Sequence, residues 1–511
     1  MRLLAELDMA ERKITLEELS QHVKDTDTWM AINGTVWDIT GFAELHPGGP
    51  DIIQEYSGGD ASGPYNSVHS LKLAEKNFEA SQKIGVLEAK CVDDKLPTEN
   101  TRNPRLETDL PDLDEIINLN DLEVVAEKCL NERSWAYFSG ASNDGFTKLD
   151  NSEYYRKILL RPRVARAVQD VNTRTKILDD VYDTPIFNAP ASLMMLAHPD
   201  AEMALAKGLA ASGSTIIIPT LSSFSTEEII EALPADHPFY FQLYVSPNEA
   251  ALEKMIDTLC KIRPKAIMIT ADLPIFSKRE ANERYEKRIA KQKLASGPKV
   301  TTATGKKGGQ ARSAGVSIDP NLCWSNIKCL KERTGIPIFI KGIQCAEDAM
   351  QAWKIGCKGI YISNHGGRAA DTAQPTILTL AEIRLHCPFI LEEMEVIIDG
   401  GVRRGSDVLK AICLGAKGVC LGRPFFYALM YGEEGVRYIM QCEFKRPPAH
   451  FYFVQVFKPR LTAELLVLKD ELETAMQLCG ITSLSEAHIG LLNTKALYRD
   501  VETPGSLPSK L

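Results

Sequence analysis

Eight short apolar runs, each followed by a helical pattern, constrain the fold of this chain more than any other feature. The runs are TPIFNAP (184–190), STIIIPT (214–220), FYFQLYV (239–245), AIMITAD (266–272), PIFIKG (337–342), GIYISN (359–364), EVIIDGG (395–401) and GVCLGR (418–423). Strands that alternate with helices build parallel sheets, and eight such units can close into a barrel. The pattern therefore predicts an α/β fold with a (β/α)8 barrel, and an open doubly wound sheet is the alternative.

The N-terminal part of the chain has a different pattern. TWMAINGTVWDIT contains two β-rich runs around Asn33-Gly34, which is a hairpin signal. Residues 91–111 are polar and contain proline, as linkers do. We therefore predict a small α+β domain at 1–90, a linker at 91–111, the barrel domain at 112–490 and a C-terminal tail at 491–511.

Bulk composition excludes several classes of function. A chain of 511 residues that is 44% hydrophobic and 25% charged is typical of a globular protein with more than one domain. Its net charge of -9 disfavours nucleic-acid binding, and no apolar run reaches the roughly 18 residues of a membrane span. The N-terminus lacks a secretory core and is too acidic for a mitochondrial transit peptide, so we expect a cytoplasmic protein.

Two histidines in the small domain form a candidate metal site. His46 lies in FAELHPGGPDII and His69 lies 23 residues further on, in YNSVHSLKLAE. Two imidazoles on separate short helices can bind opposite faces of a haem iron, and such a centre carries electrons because no ligand position stays open. The alternative is a His-Pro-Gly-Gly turn followed by an unrelated surface histidine.

Polar side chains and glycines lie at the ends of six of the eight predicted strands. Because the carboxyl ends of barrel strands meet at one mouth, where active sites lie, these residues should come together. Each alone has an ordinary explanation, such as core packing, a helix cap, a solvated charge or, for 364–367, a turn. Glycines and arginines after the last two strands favour a phosphate, and hence a phosphorylated cofactor. The set comprises Gln242, Tyr244, Thr270, Asp272, Lys341, His365, Arg368, Asp399, Gly400, Gly401, Arg403, Gly422 and Arg423.

Two segments interrupt this rhythm. Residues 277–316 are highly charged and then rich in Gly, Lys and Thr, which is typical of a functional or disordered loop. Residues 441–464 are aromatic and basic, inside what should be the final helical region, and the pattern assigns them no function.

The small domain resembles the cytochrome b5 family across residues 12–88. The matching parts are NGTVWDITGFAELHPGG, the GGDAS stretch and His69 at the ligand spacing of that family. The resemblance implies a bound haem b with His46 and His69 as axial ligands.

Residues 112 to about 430 resemble the FMN-dependent family that oxidises 2-hydroxy acids. The matches are WAYF, FQLYV, TADLP, KRE, FIKGI, SNHGGR, DGGVRRGSDVLKA and GRPF. A cytochrome b5-like domain ahead of such a barrel is similar to the flavocytochromes that act as L-lactate:cytochrome c oxidoreductases. The resemblance implies an FMN-dependent L-2-hydroxy-acid dehydrogenase with L-lactate as substrate, cytochrome c as acceptor and a homotetrameric barrel in the mitochondrial intermembrane space.

The resemblance also implies catalytic roles. His365 takes the α-proton, or the hydroxyl proton if a hydride moves, and Asp272 stabilises the imidazolium that results. Arg368 pairs with the substrate carboxylate through its two donors, helped by Tyr137. The glycines between His365 and Arg368 then let the backbone approach the substrate.

Further residues acquire implied roles around the substrate hydroxyl and the cofactor. Tyr244 hydrogen-bonds to the hydroxyl and Arg279 assists. Lys341 stabilises the negative charge of reduced FMN. The remaining contacts are to the flavin edge (Gln242, Thr270), to the re face of the flavin (Ser192) and to the ribityl phosphate end (Asp399, Gly400, Gly401, Arg403, Gly422, Arg423).

The chain departs from the family pattern at two places in the barrel. Ala369 and Ala370 stand where the family usually has glutamine and leucine. Pro219 stands at about the position where the family commonly has a serine that touches FMN. These departures leave two alternatives open. One is a related enzyme for another acid, such as glycolate or mandelate, and the other is a weakly active protein that binds FMN and haem.

The charge of the small domain bears on its electron acceptor. Residues 41–100 contain ten Asp plus Glu and five Lys, a net charge of 5 − 10 = −5. An acidic haem domain would attract a basic partner such as cytochrome c and raise the association rate at low salt. The alternative is ordinary solubilising charge.

Overall fold

The small domain is a mixed five-stranded sheet with short helices. The computed structural model describes residues 12–46, 49–88, 106, 108–296, 318–440 and 468–501, and the structural statements below refer to these residues. The sheet order is β1-β5-β4-β3-β2, and Asn33 and Gly34 turn the predicted hairpin with φ of 51° and 79°. The strands are β1 (Lys13–Ile14), β2 (Val23–Lys24), β3 (Asp27–Ile32), β4 (Thr35–Asp38) and β5 (Lys83–Leu87).

Eight parallel strands form the predicted barrel, with the order β10-β11-β12-β13-β14-β15-β16-β9. The prediction of fold class and of all eight strands is confirmed, and the open doubly wound sheet was wrong because the last strand pairs with the first. The barrel strands are β9 (Ile186–Asn188), β10 (Ile217–Pro219), β11 (Tyr240–Leu243), β12 (Ile267–Thr270), β13 (Ile338–Ile343), β14 (Gly359–Ile362), β15 (Glu395–Asp399) and β16 (Gly418–Leu421). Short pairs join β6 (Leu159–Leu160) to β17 (Leu492–Asn493) and β7 (Thr175–Ile177) to β8 (Asp180–Tyr182).

A single side chain closes the seam between β9 and β10. Asn188 donates to the carbonyl of Ile217 at 3.0 Å and accepts from its N–H at 2.8 Å. The Asn188 amide thus replaces one pair of ladder hydrogen bonds where the described strands form no ladder. The amide is fully buried, and the two bonds satisfy its oxygen and one of its two N–H donors.

Alternate residues on the strands fill two cores. Phe187, Tyr240, Met268, Phe339 and Tyr361 pack inside the barrel, while their neighbours along the strands pack against the surrounding helices. This period-two alternation follows from strand geometry and leaves the positions just past the strand ends free to line the mouth.

Helices surround the barrel and pack against the small sheet. In the small domain they are Leu16–Leu19, Pro50–Tyr56, Ser62–Asn66 and Leu73–Asn77. Leu119–Cys129, Glu132–Ser139 and Phe146–Arg156 lead into the barrel. The barrel helices are Ala201–Ala211, Thr226–Glu231, Glu249–Ile262, Glu280–Ser296, Trp324–Thr334, Ala346–Lys354, Thr376–His386, Phe389–Glu393, Gly405–Leu414, Arg423–Ala428, Gly432–Met440, Leu468–Leu478 and Lys495–Tyr498.

The segments that interrupted the sequence rhythm have different outcomes. The first part of 277–316 is the helix Glu280–Ser296 and not a loop, because its charges recur without Gly or Pro until residue 297. The rest of that segment, all of 441–464 and most of the predicted linker lie outside the described residues. No helix in the described part of the chain is long and apolar enough to cross a membrane.

A buried carboxyl group supports the loop after β10. The Glu202 side chain is fully buried in helix Ala201–Ala211, and its Oε1 accepts from the Ser223 N–H at 3.1 Å. Its Oε2 has no hydrogen-bond partner among the described residues. Burial disfavours the charged form, so the pKa of Glu202 rises from 4.5 to about 7 although the hydrogen bond from the Ser223 N–H lowers it.

Replacing Glu202 by glutamine should therefore stabilise the protein at neutral pH. A group with a raised folded-state pKa contributes its stability fully below pH 4.5 and loses it as the pH rises to about 7. The amide keeps an acceptor for Ser223 and does not ionise. We expect the apparent Tm of Glu202→Gln to exceed that of the parent by about 3 °C or more at pH 7.5 and to match it near pH 4.5. Thermal unfolding at both pH values is the measurement, and a Tm difference that is the same at both would contradict the burial argument.

Candidate active site and haem site

A buried carboxylate organises the barrel mouth. The Asp272 side chain is 0% exposed and lies just past β12. Its Oδ1 is 2.9 Å from Nδ1 of His365, and its Oδ2 is 3.6 Å from Nζ of Lys341. Three consecutive strands thus deliver one anion, one imidazole and one cation to the same point. Lys341 and His365 outweigh the burial of Asp272 and lower the pKa of its carboxyl.

His365 is held as a neutral imidazole. Burial and the nearby Lys341 lower its pKa to about 4, although Asp272 acts in the opposite direction. With Nδ1 directed at Asp272, Nε2 is the nitrogen that can face a bound substrate. A neutral, oriented imidazole beside an ionised carboxylate is the arrangement of a general base.

The turn after β14 fixes the His365 backbone. His365, Gly366 and Gly367 have φ of 58°, 64° and 77°, and the Ser363 hydroxyl accepts from the His365 N–H at 3.0 Å. A Cβ on Gly367 would lie 2.6 Å from the Lys148 backbone nitrogen. Packing against the helix Phe146–Arg156 therefore requires this glycine, whereas the sequence pattern had pointed to approach of the backbone to substrate.

Two arginines share the carboxyl end of the helix Glu132–Ser139. Arg368 donates to the carbonyls of Tyr137 at 3.0 Å and Gly140 at 3.2 Å. Arg423 donates to Phe138 at 3.2 Å and to Gly140 at 2.8 Å. Carbonyl oxygens at a helix end carry partial negative charge and can stabilise both cations. Burial, together with Arg423, lowers the pKa of Arg368, as expected where cations gather at an anion site.

Four further predicted residues line the cavity near this pair. The hydroxyls of Tyr137 and Ser192 are 3.1 Å apart. Arg279 is 6% exposed, and its Nε has no hydrogen-bond partner in the described part of the chain. Burial and the charge of Asp272 raise the pKa of Tyr244, so its hydroxyl remains a donor at neutral pH. All four side chains line the same cavity as His365 and Arg368.

The predicted flavin-edge residues form a hydrogen-bonded row. Gln242 donates to the Thr270 hydroxyl at 2.9 Å. Its side-chain oxygen accepts from the Thr220 N–H at 3.2 Å. Thr220, the residue after Pro219, thus supplies the backbone donor that proline lacks.

The residues predicted to bind the ribityl phosphate end of FMN lie on the rim of the barrel mouth. Arg403 donates to Asn120 at 2.8 Å and pairs with Glu123, so it lies against the helix Leu119–Cys129. Gly400 and Gly401 have φ of 96° and 77°. A Cβ on Gly401 would lie 2.1 Å from the Asn151 backbone, whereas one on Gly422 would meet only the Ala189 side chain, at 3.8 Å.

The barrel mouth has groups that fit FMN. One buried oxygen of Asp399 lacks a hydrogen-bond partner among the described residues, and burial raises the pKa of this carboxyl. Lys341, 3% exposed, supplies a buried cation. Open space at Gly422 leaves the backbone accessible to a ligand. An orphaned acceptor, a buried cation and bare backbone match the ribityl hydroxyls, flavin ring and phosphate of this cofactor.

The two histidines of the small domain face each other across a gap. Their ring centroids are 6.1 Å apart, which leaves room for one metal ion because metal–imidazole bonds are about 2 Å. His46 Nδ1 is 3.2 Å from the Gly49 carbonyl, which directs Nε2 into the gap. Burial lowers the pKa of His69 to about 4, so its imidazole is neutral and able to ligate. The surrounding Met30, Ile32 and other apolar groups fit a haem macrocycle.

One cavity connects the two sites. It has a volume of about 2720 Å³, and its lining includes His46, His69, Lys341, His365 and Gly422. The residues predicted at the two sites therefore line one continuous space.

Sequence reasoning missed several supporting residues. The carboxylate of Asp371 accepts three backbone N–H bonds at the start of the helix Phe146–Arg156, and the Asn151 and Asn364 amides pair at 2.8 and 2.9 Å. Lys148 lies at the mouth near both arginines, and burial, with Arg423, lowers its pKa to about 8. Asp371 and the Asn151–Asn364 pair have partners more than 200 residues away, as Lys148 has in the two arginines, so no local pattern could have revealed these contacts.

Comparisons with known proteins match both domains. Residues 126–444 match the FMN-dependent dehydrogenase family and residues 15–88 match the cytochrome b5-like heme/steroid binding domain. An L-lactate dehydrogenase (cytochrome) of Saccharomyces cerevisiae is 35% identical over 98% of this chain and 83% of that protein. A flavocytochrome b2 mutant structure with pyruvate bound has a TM-score of 0.63 and 35% identity, covering 78% of this chain and 91% of that one. A mandelate oxidase mutant structure with (S)-mandelic acid has a TM-score of 0.59 and 29% identity, covering 74% and 98%.

The fold and site define an FMN-dependent 2-hydroxy-acid oxidoreductase with a haem domain in front of its barrel. The chain belongs to the FMN-dependent dehydrogenase family, in its flavocytochrome b2-like branch. The predicted cofactors, FMN and haem, are the cofactors of these two domain families.

The pH dependence of substrate oxidation should reflect the depressed pKa of His365. Because the base must be neutral to accept a proton and its pKa is about 4, kcat/KM for flavin reduction should be nearly flat between about pH 5.5 and 8. Asp272→Asn removes the carboxylate that stabilises the imidazolium and should lower the rate by roughly 10–10³-fold. Stopped-flow flavin reduction across this pH range is the measurement, and an acid limb near pH 6.5 would contradict the assignment.

Proposed function

We propose that the protein oxidises L-lactate to pyruvate and passes the electrons one at a time through haem to cytochrome c. The observation that carries the proposal is the neutral His365 bonded to the buried Asp272, with Arg368 close by, at the mouth of a barrel whose cavity extends to two facing histidines. A base beside a carboxylate-binding cation suits the deprotonation of a 2-hydroxy acid.

In this proposal each side chain has a defined task. Nε2 of His365 accepts the proton that leaves the substrate, from the α-carbon or from the hydroxyl, and Asp272 stabilises the imidazolium. Arg368 binds the substrate carboxylate with the donor that its carbonyl contacts leave open. Tyr244 and Arg279 orient the hydroxyl, and Tyr137 completes the carboxylate site.

The cofactors account for the electrons. FMN supplies a two-electron acceptor, and a haem with two histidine ligands exchanges single electrons. Oxidation of one lactate therefore yields one pyruvate, two protons and two electrons. The two electrons reduce two molecules of cytochrome c. Lys341 is the buried cation available to balance the charge gained by the flavin.

Similarity supports lactate over other acids. The yeast relative named for lactate matches nearly the whole chain, including the haem domain. Mandelate oxidase matches a smaller share of the chain at lower identity. Ala369, buried next to Arg368, keeps mandelate and glycolate as the second candidates because a small side chain leaves more room there, whereas Ala370 is exposed.

His365→Gln should nearly abolish flavin reduction by substrate while FMN stays bound. The base acts on the substrate, whereas the phosphate end of the cofactor lies elsewhere on the rim. Removal of a general base typically costs ~10²–10⁴-fold. Single-turnover flavin reduction is measured together with FMN content, and a rate within tenfold of the parent would show that another group is the base.

The substrate and acceptor assignments can be tested together. Purified holoenzyme is assayed with L-lactate, glycolate and (S)-mandelate, each with cytochrome c or ferricyanide as acceptor. L-lactate should give the highest kcat/KM, and cytochrome c reduction should fall with ionic strength if the acidic haem domain steers its partner.

The haem-free His46→Ala variant is the matched control. It should reduce ferricyanide but not cytochrome c, because flavin reduction does not require the haem. Higher kcat/KM for another acid would overturn the substrate, and cytochrome c reduction by the haem-free variant would overturn the path.

A further inference from the structure

The haem-ligand segment around His69 contacts the barrel on both sides of the histidine. Ser70, 6% exposed, donates its backbone N–H to the Ser223 carbonyl at 2.9 Å. The Ser67 hydroxyl accepts from Arg133 of the helix Glu132–Ser139 at 3.1 Å. Residues at positions −2 and +1 from His69 are therefore both tied to the barrel.

An ion pair extends this contact. Lys76, on the helix Leu73–Asn77, lies 3.1 Å from the Glu228 carboxylate, and their side chains are 42% and 15% exposed. Glu228 also accepts from the Ser225 N–H at 3.0 Å and from its hydroxyl at 2.9 Å, so it caps the helix Thr226–Glu231. The carboxylate that stabilises this helix start thus also meets the haem domain.

The loop that carries these groups is supported from below. Ser223 is 1% exposed and its N–H is bound by the buried Glu202. Its carbonyl therefore has a fixed position when it accepts from Ser70. Tyr65 fixes the other side, because its hydroxyl donates to the Ser70 carbonyl at 3.2 Å and accepts from the Ala74 N–H at 2.7 Å.

The contact between the haem domain and the barrel is polar, and some of its buried polar groups lack hydrogen bonds. The hydroxyls of Ser70 and Ser223 are buried and lack hydrogen-bond partners among the described residues. Buried unpaired hydroxyls oppose association, since water would satisfy them if the surfaces separated. Polar contacts between domains of one chain are typically weak, so a single ion pair can be a sizeable part of their net free energy.

We propose that Lys76 and Glu228 are positioning residues for electron transfer from the flavin to the haem. Their ion pair holds the His69 side of the haem domain over the barrel mouth, in the arrangement in which the two sites share one cavity. The proposal rests on the proposed passage of electrons through the haem. It assigns neither residue a part in substrate oxidation.

The test compares Lys76→Gln, Glu228→Gln and the double variant in the holoenzyme. Glutamine at 228 removes the charge but keeps a side chain that can cap the helix. Glu227→Gln is the matched control, because Glu227 is the exposed neighbour of Glu228 in the same helical turn. Stopped-flow traces follow flavin reduction and haem reduction separately after mixing with L-lactate.

Each single variant should slow haem reduction by roughly twofold to fivefold, the range for a partly exposed ion pair, and leave flavin reduction unchanged. The double variant should be no slower than either single variant, because the pair is already lost. Glu227→Gln should behave as the parent does. Haem reduction unchanged in both single variants, or slowed additively in the double variant, would overturn the proposal.

Two further measurements separate this proposal from the substrate assignment. Photoreduction of the flavin starts electron transfer without substrate, so the contact is tested even if L-lactate is not oxidised. Hydrogen exchange of peptides covering 66–78 and 221–231 reports the contact directly. Both peptides should exchange faster in Lys76→Gln and Glu228→Gln than in Glu227→Gln, and equal exchange in all three would overturn the proposal.

Discussion

The buried carboxylate of Asp272 is the interaction on which the mouth of the barrel depends. A charge that is 0% exposed is costly unless it is paired, and Asp272 has His365 and Lys341 within 3.6 Å. Because the three residues follow three adjacent strands, the pairing also fixes how those strand ends meet. The hydrogen bond between Asp272 and His365 also orients the imidazole. The pairing that stabilises the barrel mouth therefore also holds the general base in position.

A second electrostatic arrangement places positive charge that has no carboxylate ion-pair partner within the described part of the chain. Arg368 and Arg423 are held by backbone carbonyls at the end of one helix. Carbonyl dipoles can hold a guanidinium in place without cancelling its full charge, as an ion pair would. The mouth thus keeps net positive character where an anionic substrate and a phosphorylated cofactor must bind, whereas Arg403 is balanced by Glu123.

The sequence predicted the barrel well because strand ends have a local signature. Eight apolar runs marked the strands, and the parallel topology placed the residues after them at one mouth. The contact between Asp272 and Lys341 was not predicted, because the family resemblance assigned Lys341 a role toward the flavin alone. The helix-end carbonyls that hold Arg368 and Arg423 are 228 to 285 residues away in the chain, and a backbone acceptor can belong to any type of residue. The segment before residue 297 was misjudged because high charge resembles a loop, although it also suits an exposed helix.

The seam closed by Asn188 lies between two strands that are close in the sequence. β9 and β10 are joined by a connection of fewer than 30 residues, so their ends stay close even before the sheet is complete. The pairing of β16 with β9 instead joins residues 233 positions apart, Val419 with Ile186, and there the full strand ladder is present. Chain connectivity holds the two strands that have only one side-chain bridge, and hydrogen bonds hold the two that connectivity leaves far apart.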